Sequence, residues 1–335
     1  ARPERYECRH GIGYTTITSL HHGIETRLTV FVPPDAPLEI WRVTVTNRSS
    51  RPRALDLTSY FEWNLGPAPD THREFHRLFI ETEYVRSAGA LLATKRLNTI
   101  AEHGHGQPWN TPWPHVAFHA ASVTPSFHDS DKEKFIGRYG SLERPAAIVG
   151  GRLSNTTGKW QDAIGALQVP VRLAPGRSAD VTFTLGLADT RAQALALARR
   201  YRKPTTIERA WRRTHAHWRS FLAPLEVETP EPAFDLLTNT WLKYQTLSSR
   251  IWGRTGYFQP GGAYGFRDQL QDSLVFLPLR PEHTRKQILL HAAHQFLDGT
   301  TYHWWHPLTE DGARKQLNDD LLWLPSVTLN YLRET

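Results

Sequence analysis

Apolar and polar residues alternate with a period of two through Ile24–Val32, Leu38–Thr46 and Ala54–Phe61, the pattern of strands with one face in a core. Pro33, Pro34 and Asp35, and then residues 47–50, separate these runs with turn-forming chemistry. Residues 174–177, Ala-Pro-Gly-Arg, split a later pair at Val169–Leu173 and Ala179–Leu187. Short strands with polar connections and no interleaved helices predict an antiparallel β-sandwich over residues 1–188. Residues 104–140, rich in His, Pro and Trp, show no clear period and read as long loops on that sandwich. At Asp189 the period lengthens. Asp189 and Thr190 offer an N-cap to the Ala- and Leu-rich run Arg191–Arg202. Beyond Pro204, Ile207, Trp211, His215 and Trp218 keep helical spacing, so residues 189–224 read as linker helices. From Pro232 the stripe Phe234, Leu237, Trp241, Tyr244, Leu247 predicts an amphipathic helix, with further helices at Asp268–Leu279, Thr284–Phe296 and Asp320–Leu332. Residues 225–335 are therefore a helical domain whose connections at 253–265 and 298–318 far exceed the roughly 2–8 residues usual between bundle helices. Loops of that length point to function.

Composition narrows the class. A chain of 335 residues with 39% hydrophobic and 22% charged positions is not disordered and can fill about two cores. Cys8 alone cannot build a disulfide framework. No apolar run is long enough for a membrane helix, and the first residues lack the apolar core of a secretory signal. A cytoplasmic location without membrane insertion follows as the expectation, with membrane association only through a longer parent protein. The net charge of +7 is dispersed along the chain, and its densest basic cluster, residues 198–203, reads as a solvated helix face. Nucleic acid is not an expected partner. The chain contains no Met, which predicts either a removed start or an internal piece of a longer protein.

Three segments concentrate unusual residues. The first, Trp252 to Asp272, has glycines at the wrong spacing for a phosphate-cradling loop or a dinucleotide fingerprint. It offers aromatic surface with Arg254, Arg267, Asp268 and Asp272 where a helix begins. Asp268 can be the helix cap or a ligand-binding group. In the second, Asp298 to Pro307, His303 and His306 flank Trp304 and Trp305. Two His in a loop without a Cys partner fall short of a zinc site, so no metal is expected. Adjacent Trp rings suit stacking on the apolar faces of sugars while His and Asp bond hydroxyls; the alternative is one Trp in the core and the other covering it. The third, Asn318 to Pro325, sets Asp319 and Asp320 before an apolar run. One can cap the following helix while the other, beside Trp323, is desolvated and raised in pKa as a glycosidic acid must be. A double cap is equally open, and Asp319 is the local candidate for the acid.

In order along the chain, Phe266-Arg267-Asp268 within GGAYGFRDQLQD, then HQFLDGTTYHWWHPLTEDG, then NDDLLWLP resemble the catalytic domain of glycoside hydrolase family 94, formerly glycosyltransferase family 36. The similarity is closest to the phosphorylase-like C-terminal region of cyclic β-1,2-glucan synthases. Tyr6 to Tyr14, Leu38 to Arg42 and Ser59 to Trp63 are similar to its sandwich domain. The resemblance implies a β-sandwich, linker helices and part of an (α/α)6 barrel. It implies inverting phosphorolysis of β-linked glucans or oligosaccharides, with inorganic phosphate as co-substrate and no other cofactor. It places Asp268 on sugar hydroxyls; the chemistry of the loops themselves adds Arg267, Trp304, Trp305 and His306 as substrate-binding candidates, and Arg254 and Arg250 are candidates for phosphate, whose oxygens guanidinium forks suit. The family's Arg about six residues before the Phe-Arg-Asp aspartate is replaced here by Gly262. Its general acid lies in a Trp-Asn-Asp motif that this sequence lacks. The acid is therefore expected beyond Thr335, in a further stretch of chain or another copy that completes the barrel, and the resemblance counts against Asp319.

Overall fold

A computed structural model of the chain describes residues 2–66, 77–96, 113–252, 262–307, 310–314 and 319–335. The chain divides into two compact units between His217 and Trp218.

Among the described residues the first unit holds eleven strands: β1 (Arg5–Gly11), β2 (Tyr14–His21), β3 (Ile24–Phe31), β4 (Leu38–Asn47), β5 (Arg53–Glu62), β6 (Ile80–Val85), β7 (Ala90–Lys95), β8 (Trp113–Ala121), β9 (Phe127–Asp131), β10 (Ala163–Leu173) and β11 (Ser178–Ala188). Eight form one antiparallel sheet in the order β1-β2-β3-β4-β11-β8-β7-β6, and β5-β10-β9 form a second. Val43, Val45, Val181 and Phe183 of the large sheet pack on Leu167, Val169, Val171 and Leu173 of β10. This is the sandwich that the alternation predicts. The opposite side of β10 is covered too, because Ile164 and Ala166 pack on Phe135, Ala147 and Leu153. Burial on both faces removes the alternation, so only the end of this strand is visible in the sequence. Pro170 is tolerated because β9 pairs with β10 only as far as Gln168, leaving one neighbouring strand beyond that point.

Residues 104–140 are not simply loops. The described part contains β8, β9 and a helix at Lys132–Ile136. Val116 to Ala121 are buried or nearly so in succession, which again leaves no period to read. β9 hides a carboxylate, Asp129, which is 0% exposed. It accepts from the backbone N–H of Ser130 (2.9 Å) and Ser154 (3.1 Å) and from Ser154 Oγ (2.7 Å), so its burial is compensated.

His119 on β8 joins the two sheets. Its Nδ1 lies 3.1 Å from the Thr184 carbonyl, which can only accept, so Nδ1 donates; Nε2 then accepts from Ser59 Oγ of β5 at 2.7 Å. Trp41, Phe61 and Phe183 surround the ring. Burial holds its pKa down at about 3.

Thr190 caps the Arg191–Arg200 helix by accepting from the Gln193 N–H at 3.2 Å. Ala194, Leu195 and Ala198 pack with Phe31, Leu38, Ile40 and Phe118, so the first linker helix is part of the sandwich unit. The division between the two compact units falls inside the next helix, Pro204–Leu222.

The second unit is helical. Residues 232–251 alternate α-helical segments, Pro232–Leu236 and Leu242–Thr246, with π-helical turns, Leu237–Trp241 and Leu247–Ile251. Wider π turns carry side chains off a 3.6-residue stripe. Leu247 is accordingly buried while Phe234, Leu237 and Trp241 stay 43–51% exposed. Helices Phe266–Ser273, Pro281–Ala293 and Asp320–Glu334 follow. Phe266, Leu270, Trp305 and Val327 form their shared core. The buried Lys243 donates to three carbonyls, Leu222 (2.8 Å), Pro224 (2.9 Å) and Leu225 (2.7 Å), and fastens the chain before residue 232 to the helix after it. Among the described residues no helix is long and apolar enough to cross a membrane.

Candidate functional site

A three-stranded ribbon organises the site. β12 (Tyr264–Gly265), β13 (Trp304–Trp305) and β14 (Gly312–Ala313) pair antiparallel, with Gly265 opposite Trp304 and Tyr264 opposite Trp305. Successive residues of a strand face opposite sides, so the two Trp rings cannot serve one ligand. Trp305 is 0% exposed, with the His294 ring stacked on it at 4.4 Å and Tyr264 edge-on at 5.7 Å. Trp305 is a core residue and offers no face to a sugar. Trp304 stays half-buried. Its cross-strand neighbours are Gly265 and Ala313, the two smallest side chains available, and His306 meets its ring edge-on at 5.5 Å.

Gly265 is also the N-cap of the Phe266–Ser273 helix. Gln269 reaches back to accept from the Gly265 N–H at 2.6 Å, and the Phe266 N–H donates to the His303 carbonyl at 3.1 Å. Asp268 is therefore not the cap. It sits in the first turn, three residues from the strand that pairs with Trp304. Asp272, four residues on, lies on the same face about 6 Å further along the axis. It accepts from Arg250 Nε at 2.6 Å, which brings Arg250 to the Asp268 side of the helix. Arg254 lies outside the described residues.

The adjacent carboxylates divide their work. Asp319 occupies the N-cap position of the Asp320–Glu334 helix, but its side chain caps nothing. It forms an ion pair with Arg267, whose guanidinium stands 5.5 Å over the Trp323 ring. Asp320, the first helical residue, is the desolvated one at 1% exposure and accepts from His303 Nδ1 at 3.0 Å. Burial pushes its pKa up; His303 opposes the rise, and the nearby charges of Asp319 and Asp268 add to it. Sequence alone assigns the desolvated carboxyl to neither aspartate in particular, because which of two neighbours turns inward depends on where the helix starts.

Asp268, Arg267, Asp319, Asp320 and His303 thus gather around the two helix starts, with Arg250 one turn away, while Trp304 lies on the ribbon strand paired with Gly265 and has His306 at its ring. The pairing of His303 with Asp320 had no sequence signal, since seventeen residues and a loop separate them. Among the described residues no group of three His, Cys, Asp or Glu is placed to hold a metal ion. A half-exposed Trp on a ribbon whose neighbouring helix carries carboxylates and a guanidinium group offers what a polyhydroxylated ring takes, since its faces are apolar and its rim is hydrogen-bonding.

The cyclic beta-(1,2)-glucan synthase NdvB of Rhizobium meliloti (strain 1021) is 35% identical over 98% of this chain. Solabiose phosphorylase of Paenibacillus borealis is 31% identical over 99%. The chain spans only 11% and 40%, respectively, of those two relatives. A bacterial glucoamylase complexed with acarbose shares the fold at a TM-score of 0.60 and 5% identity, over 98% of this chain and 48% of that one. The family model described as "Glycosyl hydrolase 94, supersandwich domain" matches residues 1–204, and the one described as "Glycosyl hydrolase 94 superfamily, catalytic domain" matches residues 217–335. With a sandwich followed by the helices of an (α/α)6-type enzyme domain, the chain belongs to glycosyl hydrolase family 94.

Proposed function

We propose that this chain forms the sandwich and the sugar-binding side of the catalytic domain of an inverting glycoside phosphorylase that acts on a β-linked glucan. The observation that carries this reading is the Phe266–Ser273 helix within the catalytic-domain match, which carries Asp268 in its first turn, holds Arg250 through Asp272 and starts at Gly265, the residue paired with Trp304. In this reading Trp304 and His306 receive the apolar face of a glucose unit, and Asp268 and Arg267 bond its hydroxyls. Arg250, held by Asp272, supplies positive charge for phosphate, which guanidinium forks suit.

Phosphorolysis asks less of the protein than hydrolysis does. An inverting hydrolase needs a second carboxylate to activate water, whereas phosphate is already an anionic nucleophile. A phosphate oxygen attacks the anomeric carbon from the face opposite the leaving group. The bond to the glycosidic oxygen breaks, a general acid protonates that oxygen, and α-glucose 1-phosphate leaves. Asp319 is committed to Arg267, and we place the acid in the intact polypeptide outside these residues. The relative named as a cyclic beta-(1,2)-glucan synthase favours β-1,2-linked chains as substrate.

The test is release of glucose 1-phosphate from β-1,2-glucan by the intact polypeptide, with and without inorganic phosphate. Phosphate-dependent release is expected. Reducing sugar freed at the same rate without phosphate would identify a hydrolase and overturn the proposal.

A further inference from the structure

The His303–Asp320 pair has no part in the reaction as described, yet it is built with care. Asp320 is 1% exposed, and a carboxylate taken out of water is costly unless its oxygens are bonded. His303 Nδ1 meets it at 3.0 Å, and the first turn of a fifteen-residue helix begins at the same residue, where the helix dipole favours negative charge. A carboxylate oxygen accepts, so Nδ1 donates and the ring tautomer is fixed. The backbone of His303 is held as well: its N–H donates to the Ala313 carbonyl at 2.8 Å and its carbonyl accepts from Phe266 at 3.1 Å. The imidazole is thus clamped from the ribbon on one side and from the helix on the other.

The two partners differ in one respect. The aspartate is withdrawn from solvent, while the histidine side chain keeps 37% of its surface. A buried carboxylate behind a partly exposed imidazole orients the imidazole for a third group. With Nδ1 occupied, the remaining atom is Nε2, which in this tautomer carries a lone pair. The His303 carbonyl accepts from the Phe266 N–H at 3.1 Å, and Asp268 lies two residues on in the first turn of the same helix, so His303 belongs to the same neighbourhood as the proposed sugar-binding aspartate.

We propose that His303 Nε2 accepts a hydrogen bond from one hydroxyl of the pyranose held at Asp268, and that Asp320 is the positioning residue that fixes its tautomer. The inference rests on the functional reading above and adds a specificity-determining contact to it.

The experiment measures binding of methyl β-D-glucopyranoside and its monodeoxy analogues by calorimetry to the intact polypeptide, as wild type, His303→Ala, Asp320→Asn and Asp320→Ala. One deoxy analogue is expected to bind wild type about tenfold more weakly than the parent sugar and to bind His303→Ala no more weakly than the parent sugar does, since a single hydrogen bond is worth up to about tenfold. Asp320→Asn, whose amide oxygen still accepts from Nδ1, should keep the wild-type profile. Asp320→Ala should lose it while its melting temperature reports any structural cost separately. Wild type that binds no glucoside counts against the functional reading itself. Wild type that binds, with a deoxy profile unchanged in His303→Ala, overturns this inference alone.

Discussion

His119 makes the sandwich sensitive to acid by an amount that can be worked out. In the folded chain the ring is neutral, bonded on both sides and enclosed by Trp41, Phe61 and Phe183. Its pKa is held at about 3 against an ordinary value of 6.5. Between those limits the unfolded chain binds a proton that the folded chain does not, so stability rises with pH and is lost as pH falls below 6.5. At about 1.36 kcal/mol per unit, the loss between pH 7 and pH 5 is about 2 kcal/mol, rising to about 4 kcal/mol near pH 3. The perturbation that isolates it is His119→Gln, which keeps a polar side chain but cannot titrate. Urea unfolding followed by Trp fluorescence, for wild type and variant at both pH values, reads the difference. Trp41 stands 5.6 Å from the ring and reports locally. The variant is expected to be less stable at pH 7, and its stability should fall between pH 7 and pH 5 by about 2 kcal/mol less than that of wild type. All other titrating groups are common to the two proteins. Identical falls in the two would show that the buried ring is not the source of the acid sensitivity.

Other expectations follow from the second unit. Trp305→Ala should cost about 3–5 kcal/mol of stability in chemical denaturation, as a cavity in a packed core does. Trp304→Ala should change stability by less than about 1 kcal/mol but weaken glucan binding at least tenfold by calorimetry; equal effects of the two would contradict their opposite-face placement. Lys243→Met strands three carbonyls and should destabilise by about 2–4 kcal/mol, seen as a lower urea midpoint, and a neutral result would mean that water replaces the ammonium without loss. Arg250→Met should raise the KM for phosphate at least tenfold with the KM for sugar within twofold; the reverse pattern would move Arg250 to the sugar side.

The resemblance carried by Phe266-Arg267-Asp268 and the following segments was legible from sequence, and so was the sandwich where apolar and polar residues alternate, as in β3. β10 and β8 were partly or wholly hidden because they are covered on both sides. The Phe234 to Leu247 stripe was visible, but the π turn at Leu237–Trp241 breaks its period, leaving its first half exposed and Leu247 buried. Asp268 reads as a cap by residue type, yet the helix begins at Phe266 and Gly265 takes that place.

Local periodicity and residue chemistry determined the order of the two units and which segments collect aromatic and charged groups, because both are written in near neighbours along the chain. What each of those groups does was decided by pairing across distance. A three-stranded ribbon turns Trp304 and Trp305 to opposite sides, and a helix start assigns Asp319 to Arg267 and Asp320 to His303. Burial and partner are properties of the packed molecule, and adjacent residues of the same type acquire different roles only when the fold gives them different neighbours.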